Sequence, residues 1–498
     1  MWKLSIKDIK QGYAGLKKIA RKLISYSQYE EALISIKHAS ILAQQFNWIY
    51  ADDEIEDILK QISNLIIKKP LKKYESVKNR VVLYDEFCVS FVLSIQYLEA
   101  LVAAGKEIVY IALEQNVQRY GLIFDYVRKL PHTKVIILKK TSLVETNQSL
   151  YDAIIEHNPE QLFLHIEGTS SYIPALDALP PKIRTYIINL ADQTFWLGKK
   201  AVDYVLEFRQ FGVSVSQQRR GIKPEQQLLV PFYPIIDNNP FQGFPTECTE
   251  EGKVLVFSGG DIYKVLDEKR MYWHLVKRLL DTFPEVVFLF ATKADNIGMD
   301  FLQSFIKDNH YEGRFIYTKF RSDINEVLAH VDIFMGTCPV CGSLMSQLAA
   351  RNATPILQYY YPGTPDDETE QAICINEQFN ISFNDEDAFM QEAERLIRDV
   401  EYRKKQGGRL QKAMITIPQF NKLVADTLIT NETQISLQPY QFDYKQLDDR
   451  WFALENAGFI DSMNYIYGLL GAKSCLRYAP MLYIKKQINR LLKHFVIK

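Results

Sequence analysis

The sequence has no long hydrophobic run, no excess of charge of one sign and few cysteines for its 498 residues. No apolar stretch reaches about 18 residues, so the sequence predicts no transmembrane helix. Because 59 Lys and Arg residues are balanced by 60 Asp and Glu residues, nucleic-acid binding is not expected, since neutralising phosphates requires surplus cations. Six cysteines in a chain of this length do not indicate a disulfide framework, and they favour a reducing compartment.

The N-terminus and the glycine-containing loops lack the signals of export and of dinucleotide binding. No apolar core segment or small-residue cleavage site follows Met1 to Leu4, so no signal peptide is predicted and a cytoplasmic location is expected. The loop from Ser258 to Lys264 contains two adjacent glycines, but it is neither Gly-x-Gly-x-x-Gly nor a Walker motif. NAD and ATP binding therefore gain no support.

Helical periodicity characterises residues 1–74. Apolar residues recur at three- and four-residue spacing from Tyr29 to Leu42 and again from Ile55 to Ile66, which predicts helices. The first run resembles one helical hairpin of the tetratricopeptide kind. A single hairpin cannot bury its own apolar face, so this N-terminal extension is expected to pack on the domain that follows it.

From about residue 78 the pattern changes to short apolar strands that alternate with helices. This alternation predicts parallel sheets covered on both faces, and hence the α/β class. A stretch with little periodicity at residues 231–252 predicts a linker, after which the alternation restarts. The sequence thus predicts two tandem Rossmann-like domains, at residues 75–235 and 250–410, followed by a helical extension at residues 411–498.

The loops that follow the strands carry the site predictions, because open parallel sheets bind ligands beyond the carboxyl ends of their strands. In the second domain Gly259 and Gly260 follow the first strand, where a backbone without side chains can approach an anion. A plain tight turn is the alternative interpretation. After the fourth strand, Gly342 and Ser343 open a helix whose N–H groups and dipole suit a diphosphate.

Cys338 and Cys341, in the same loop, have the spacing of a redox motif or of half a zinc site. No second cysteine pair or histidine cluster accompanies them, so they are interpreted as small loop residues. The sequence therefore predicts no essential metal.

The unit from Asp332 to Pro339, continued by Gly342-Ser343 and by Gln347 to Pro355, resembles the donor-binding signature of GT-B glycosyltransferases. The segment from Val256 to Gly260 is similar to the first donor-site loop of that superfamily, and the resemblance spans about residues 78–410. It implies the GT-B fold for the two Rossmann-like domains. Residues implied to contact the donor are Gly259, Gly260, Tyr263, Lys264, Lys293, Gly342, Ser343 and Gln347.

The same resemblance implies a reaction. A sugar would pass from a nucleotide-sugar donor, a UDP- or GDP-sugar, to a saccharide, a lipid-linked saccharide or another acceptor hydroxyl, with no further cofactor, as in polysaccharide biosynthesis. Many retaining members carry a Glu that contacts the ribose at the position of Gln347, and an amide supplies no charge there. An inverting, metal-independent transfer is therefore expected, with retention, a sugar-nucleotide epimerase and a non-catalytic interaction protein as alternatives.

Inversion requires one general base that deprotonates the acceptor hydroxyl, and the resemblance implies that it lies at the strand ends of the first domain. The preferred candidate is Asp192, which follows a buried strand and precedes Phe195 and Trp196, two rings suited to a pyranose. The alternative is a helix-capping Asp192 with both rings in the core. The further candidates are Asp85, Glu86, His165 and Glu167, and a satisfied core histidine is the alternative for His165.

Cations are concentrated near both ends of the chain and in one loop of the first domain. Arg220 is expected either to reach a donor phosphate or to be a solvated surface charge. Residues 1–22 hold seven cations and one acid, and residues 481–498 repeat the pattern with an apolar helical face. These segments predict basic amphipathic helices that lie on an anionic membrane, or else pack their apolar faces on the Rossmann-like domains.

Overall fold

The computed structural model describes most of the chain. The residues outside this description are 1–4, 71–72, 89–92, 116–120, 237–238, 267–268, 294–295, 361–367, 442, 446, 450–461 and 497–498. The described chain divides into two compact units. The first unit comprises residues 1–230, 421–440 and 448–498, and the second comprises residues 231–420 and 441–447.

A seven-stranded parallel sheet forms the centre of the first unit. Its strands are β1 (Val77–Asp85), β2 (Glu107–Leu113), β3 (Thr133–Leu138), β4 (Pro159–His165), β5 (Arg184–Ile188), β6 (Tyr204–Glu207) and β7 (Gln227–Leu229). Their order in the sheet is β3-β2-β1-β4-β5-β6-β7. The order reverses direction between β1 and β4, which is where open sheets of this kind bind ligands.

Helices precede, connect and follow these strands. They are α1 (Ile6–Ser25), α2 (Tyr29–Phe46), α3 (Asp53–Ile66), α4 (Ser94–Ala103), α5 (Gly121–Val127), α6 (Leu143–His157), α7 (Ile173–Asp177) and α8 (Gln210–Val215), with short turns of other helix types at Ser216–Arg220 and Pro224–Gln226. A capping box formed by Ser5 and Asp8 begins α1, and a second one, formed by Ser142 and Glu145, begins α6.

The three N-terminal helices share one hydrophobic core with the first sheet. Ile9, Leu16 and Ile24 on one face of α1 are buried in the same cluster as Val82 of β1 and Leu164 of β4. The apolar face of α1 is therefore occupied inside the protein, which agrees with the packing alternative for this helix rather than with membrane insertion of that face.

A six-stranded parallel sheet forms the centre of the second unit. Its strands are β8 (Val254–Gly259), β9 (Val286–Ala291), β10 (Phe315–Thr318), β11 (Ile333–Met335), β12 (Ile356–Tyr359) and β13 (Ser382–Phe383), in the order β10-β9-β8-β11-β12-β13. The reversal of order lies between β8 and β11. Both sheets thus follow the Rossmann order, and the predicted α/β class with two Rossmann-like parts is confirmed.

The remaining helices flank the second sheet and complete the C-terminal part. They are α9 (Met271–Thr282), α10 (Asn296–Asp308), α11 (Ile324–Ala329), α12 (Ser343–Arg351), α13 (Glu368–Ile373), α14 (Glu386–Arg398), α15 (Val400–Ala413), α16 (Ile417–Thr430), α17 (Ser462–Leu470), α18 (Ala472–Tyr478) and α19 (Pro480–Val496), with short 3-10 turns at Thr246–Cys248 and Ile262–Val265.

The stretch expected to be a linker belongs to the second unit. Arg321 donates a hydrogen bond to the carbonyl oxygen of Gly243 at 2.9 Å, and the main-chain N–H of Gln242 donates to Asp323 at 2.8 Å. These bonds hold residues 242 and 243 to the second unit. The sequence predicted a linker here because the stretch has little hydrophobic periodicity, and such side-chain bonds leave no periodic pattern.

Candidate functional site

The switch point of the first sheet holds a buried carboxylate–imidazole pair. Asp85 ends β1 and His165 ends β4, and the parallel register places these two residues opposite each other. Asp85 Oδ1 lies 3.0 Å from His165 Nδ1, and both side chains are buried. The Tyr110 hydroxyl donates to Asp85 Oδ2 at 2.9 Å, and the main-chain N–H of Cys88 donates to Oδ1 at 2.9 Å.

These hydrogen bonds decide the charge of Asp85. Burial alone would raise its pKa, but the imidazole of His165, the Cys88 N–H and the Tyr110 hydroxyl outweigh burial and hold the pKa of Asp85 below its usual value. A carboxylate can only accept, so His165 Nδ1 carries the hydrogen of this bond, and in the neutral imidazole Nε2 then has the lone pair. Nε2 is buried and has no hydrogen-bond partner among the described residues.

Glu86, the residue after β1, joins this edge to the turn that follows β4. Its carboxylate accepts hydrogen bonds from the Ser170 hydroxyl at 2.5 Å, the main-chain N–H of Glu167 at 2.9 Å and the Tyr84 hydroxyl at 3.1 Å. Burial, the dominant influence, raises the pKa of Glu86 to about 7. Both carboxylate oxygens are already engaged, so Glu86 is suited to positioning the two loops.

Asp192 follows β5 and is fully buried against Arg209. Arg209 Nε lies 2.6 Å from one carboxylate oxygen and Nη2 lies 2.9 Å from the other, which is a two-pronged ion pair. Phe195 and Trp196 lie in the hydrophobic core of the same unit. The rings thus pack as the core alternative proposed, while Asp192 binds an arginine instead of capping a helix. Its assignment as the base stays a prediction.

Asn47 is a positioning residue that the sequence reasoning missed. It ends α2 in the left-handed conformation, with φ 46°, which a C-terminal Asn tolerates. Its amide donates to the carbonyl oxygen of Gln193 at 2.6 Å and accepts from the main-chain N–H of Phe195 at 3.1 Å. The N-terminal helices therefore hold the loop that contains Asp192. An Asn just beyond a helical pattern was the available signal.

Arg220 lies inside the first unit, with its guanidinium directed at main-chain oxygens. It donates to the carbonyl oxygens of Asp192 at 2.7 Å and Thr194 at 2.5 Å, and it lies 5.2 Å from the centre of the Trp196 ring. Buried in this way, Arg220 is not the solvated surface charge of the alternative interpretation, and its contact with a donor phosphate stays a prediction. It stabilises the loop after β5.

Glycines lie next to the switch point of the second sheet. Gly260, one residue beyond β8, has φ 149°, a conformation that favours glycine. A Cβ atom at residue 260 would lie 3.5 Å from Lys264 Cδ and 3.9 Å from Thr337 Cγ2. Gly336, just after β11, packs so closely on Gln358 that a Cβ there would fall 1.8 Å from its Oε1 atom.

Gly342 is the N-cap residue of α12, and because it has no side chain it does not itself cap the first turn of this helix. Thr337 Oγ1 donates to the carbonyl oxygen of Val340 at 2.7 Å, which fixes the loop that leads into the helix. A Cβ atom at Gly342 would meet nothing closer than Met345 Cβ at 3.7 Å. The helix N-terminus and Lys264 together offer N–H groups and positive charge to an anion.

The other predicted donor contacts have different surroundings. Lys293 is exposed just beyond β9, with Nζ 4.6 Å from the centre of the Phe320 ring. The side chain of Tyr263 lies outside the described residues. Gln347 is buried, and its amide donates to the carbonyl oxygens of Phe232 at 2.9 Å and Ala372 at 2.8 Å, so it joins segments of the second unit. Its contact with a ribose stays a prediction.

The thiols and the described acidic groups form no metal centre. All six cysteines are free, and the Thr369 hydroxyl donates to Cys341 Sγ at 3.7 Å. No group of three His, Cys, Asp or Glu side chains suited to a metal ion occurs in the described part of the chain. Across the same residues, no helix combines the length and the apolar character needed to cross a bilayer.

Two Rossmann-like sheets in tandem define the GT-B class of fold, and solved structures share it. A mutant of Thermobaculum terrenum O-GlcNAc transferase superposes with a TM-score of 0.50 at 12% identity, over 89% of this chain and 83% of that one. Anabaena Alr3699/HepE in complex with UDP superposes with a TM-score of 0.51 at 12% identity, over 70% of this chain and 100% of that one. No protein-family model and no curated protein matches the sequence. The expected GT-B fold is confirmed.

Proposed function

We propose that the protein is a glycosyltransferase that moves a sugar from a nucleotide-sugar donor to an acceptor hydroxyl, with inversion and without a metal ion. The observation that carries the proposal is the buried Asp85–His165 pair at the switch point of the first sheet, where a base is required. The UDP-bound HepE and the O-GlcNAc transferase share the fold, which supports a nucleotide-sugar as the donor.

The donor diphosphate binds at the switch point of the second sheet. Gly260 lets the backbone approach a phosphate, and the N-terminus of α12 at Gly342 supplies N–H groups and the positive end of a helix dipole. Lys264 beside Gly260 adds a full positive charge. These groups stabilise the negative charge that grows on the diphosphate as it leaves the sugar, which is the part a metal ion plays in other transferases.

His165 Nε2 takes the proton of the acceptor hydroxyl. The hydroxyl oxygen forms a bond to the anomeric carbon as the bond from that carbon to the diphosphate oxygen breaks, and the nucleoside diphosphate leaves with the electron pair. Asp85 holds the ring through Nδ1 and stabilises the imidazolium that forms, because its carboxylate is already ionised. The hydrogen bond from Tyr110 keeps the carboxylate in place.

We favour His165 as the base because its Nε2 atom, unlike the carboxylate oxygens of Asp192 and Glu86, accepts no hydrogen bond from the described residues. Both oxygens of Asp192 face Arg209, and both oxygens of Glu86 accept protein hydrogen bonds. These bonds stabilise the negative charge of both carboxylates and make them weaker bases. His165 Nε2 has no such bond among the described residues.

The donor half of the proposal is tested by binding of nucleoside diphosphates. Gly342→Val should weaken binding of the preferred diphosphate at least tenfold, about 1.4 kcal/mol, because the side chain fills the space beside the helix N-terminus. Calorimetric titration and thermal shift measure this effect. Gly408→Val is the matched control, since Gly408 lies in α15 of the same unit with no atom within 4 Å of an added Cβ.

Unchanged affinity in folded Gly342→Val would remove this loop from the donor site. No binding of any nucleoside diphosphate would favour a non-catalytic protein. Incubation with a panel of UDP- and GDP-sugars then identifies the reaction, because a transferase releases the diphosphate with a new glycoside, whereas an epimerase returns an altered nucleotide-sugar.

A further inference from the structure

Folding brings the two basic ends of the chain together in the first unit. Residues 462–498 contain no acidic residue, and α1 carries six cations against Asp8. Lys485 of α19 pairs with Asp8 at 2.7 Å. At Gly15 of α1 the backbone approaches α18 so closely that a Cβ would lie 2.5 Å from Tyr478 Cβ. Segments separated by more than 400 residues therefore form one surface.

A groove of about 310 Å³ lies on this surface between the end of α1 and α18, and we call it the terminal groove. It is lined by Ile19, Lys22, Leu23, Tyr26, Gln28, Lys473, Ser474, Arg477 and Tyr478. Three of these side chains are cationic and none is acidic. Two of the lining side chains, Ile19 and Leu23, are aliphatic, and two, Tyr26 and Tyr478, carry aromatic rings. The terminal groove is therefore basic and amphipathic.

Exposed apolar side chains occur at the end of α1, on α18 and on α19. Tyr26 is 63% exposed and Leu476, between Lys473 and Arg477 along α18, is 58% exposed. Met481 and Ile484 at the start of α19 are each 44% exposed. Large apolar side chains at these exposures, interleaved with cations, are the composition that favours the interface of a bilayer.

We propose that the terminal groove, together with the exposed apolar side chains of Leu476, Met481 and Ile484, docks on an anionic phospholipid bilayer. Lipid phosphates bind Lys22, Lys473 and Arg477, while the side chains of Leu476, Met481 and Ile484 enter the headgroup region. A nucleic acid would match the cations equally well, but it would leave the exposed aliphatic side chains without a partner, and the bilayer is therefore favoured. The proposal is independent of the proposed sugar transfer.

The test is sedimentation of the full chain with vesicles. We expect binding to vesicles of phosphatidylcholine with 30% phosphatidylglycerol at low salt, weakening in high salt, and no binding to pure phosphatidylcholine. The triple variant Lys22→Glu, Lys473→Glu and Arg477→Glu should lower the partition coefficient at least a hundredfold. A second variant, Leu476→Ser, Met481→Ser and Ile484→Ser, should lower it at least fivefold with all cations retained.

The matched control reverses three exposed lysines of the second unit, Lys307→Glu, Lys405→Glu and Lys412→Glu, and should leave the partition coefficient within twofold of the parent. Circular dichroism checks that each variant is folded. Absence of parent binding to anionic vesicles at low salt overturns the proposal, as does an equal loss in the control. Binding to duplex DNA that survives the serine substitutions, without vesicle binding, would assign the groove to nucleic acid.

Discussion

Two buried acid–base pairs in the first unit predict opposite consequences of mutation. In the Asp85–His165 pair, His165 Nε2 has no hydrogen-bond partner among the described residues. In the Asp192–Arg209 pair, both carboxylate oxygens accept hydrogen bonds from the guanidinium. His165→Gln should lower turnover about a hundredfold or more, because the base is lost, with nucleoside diphosphate affinity unchanged. Steady-state kinetics with the donor found above and calorimetric titration measure the two quantities.

Asp192→Asn is the contrasting variant. Arg209 would keep its buried positive charge opposite a neutral amide, which costs about 3 kcal/mol of folding stability or more. Chemical denaturation should show this loss, while turnover per folded molecule stays within a few-fold. A hundredfold loss of turnover in a variant of unchanged stability would restore Asp192 as the base and reject His165.

The sequence could name the residues at the strand ends but could not choose among them. Parallel strands end at one edge, so Asp85, Glu86 and His165 were predictable as neighbours. The choice depends on which polar atoms are already bonded, and those partners are distant in sequence, as with Asp192 and Arg209, 17 positions apart. The main-chain carbonyl partners of Arg220 and Gln347 were unpredictable for the same reason, because the sequence does not show where carbonyl groups point.

At the scale of helices and strands, α3 is anchored to the first unit through a buried carboxylate. Glu56 accepts the main-chain N–H of Gly198 at 2.8 Å and that of Lys200 at 3.4 Å. Burial raises the pKa of Glu56 to about 7, and the negative charge of Asp177 contributes in the same direction. The folded protein therefore binds this proton more tightly than the unfolded chain, whose glutamates titrate near 4.3.

The sign of the pH dependence follows from this difference. A raised pKa stabilises the fold below about pH 4.3, and that contribution is lost as the pH rises toward 7. Glu56→Gln keeps one acceptor oxygen, for the Gly198 N–H, and removes the titration, so its stability relative to the parent should rise by roughly 2–3 kcal/mol between pH 4 and pH 8. Thermal melts across pH 4–8 measure it.

Glu31→Gln, on an exposed position of α2, is the control and should show no such divergence. A constant difference between Glu56→Gln and the parent at every pH would mean that Glu56 does not titrate in this range.

The alternation of apolar strands with helices was predictable from the sequence. The exception was β13, whose two residues are too few to produce a hydrophobic pattern.

At the scale of the whole molecule, the sequence predicted the tandem sheets and an N-terminal extension that packs on the first of them, but it did not predict that the two share one hydrophobic core. Periodicity changes at residue 74 because helices give way to strands, and a change of period does not reveal a change of core. The cluster that contains Leu33 of α2 also contains Val82 of β1 and Leu164 of β4. The N-terminal helices are thus structural members of the first unit.

This shared core makes a last prediction. Leu33→Ala removes a side chain that is 1% exposed and should destabilise the first unit by about 2–5 kcal/mol. Because the core is continuous, amide hydrogen exchange of the most protected residues of β1 and β4 should accelerate by the factor that corresponds to the same free energy. Ile34→Ala, at the adjacent and 40% exposed position of α2, should change exchange little. Faster exchange confined to α1–α3 would show instead that the hairpin unfolds separately, and it would make the N-terminal helices an appendage.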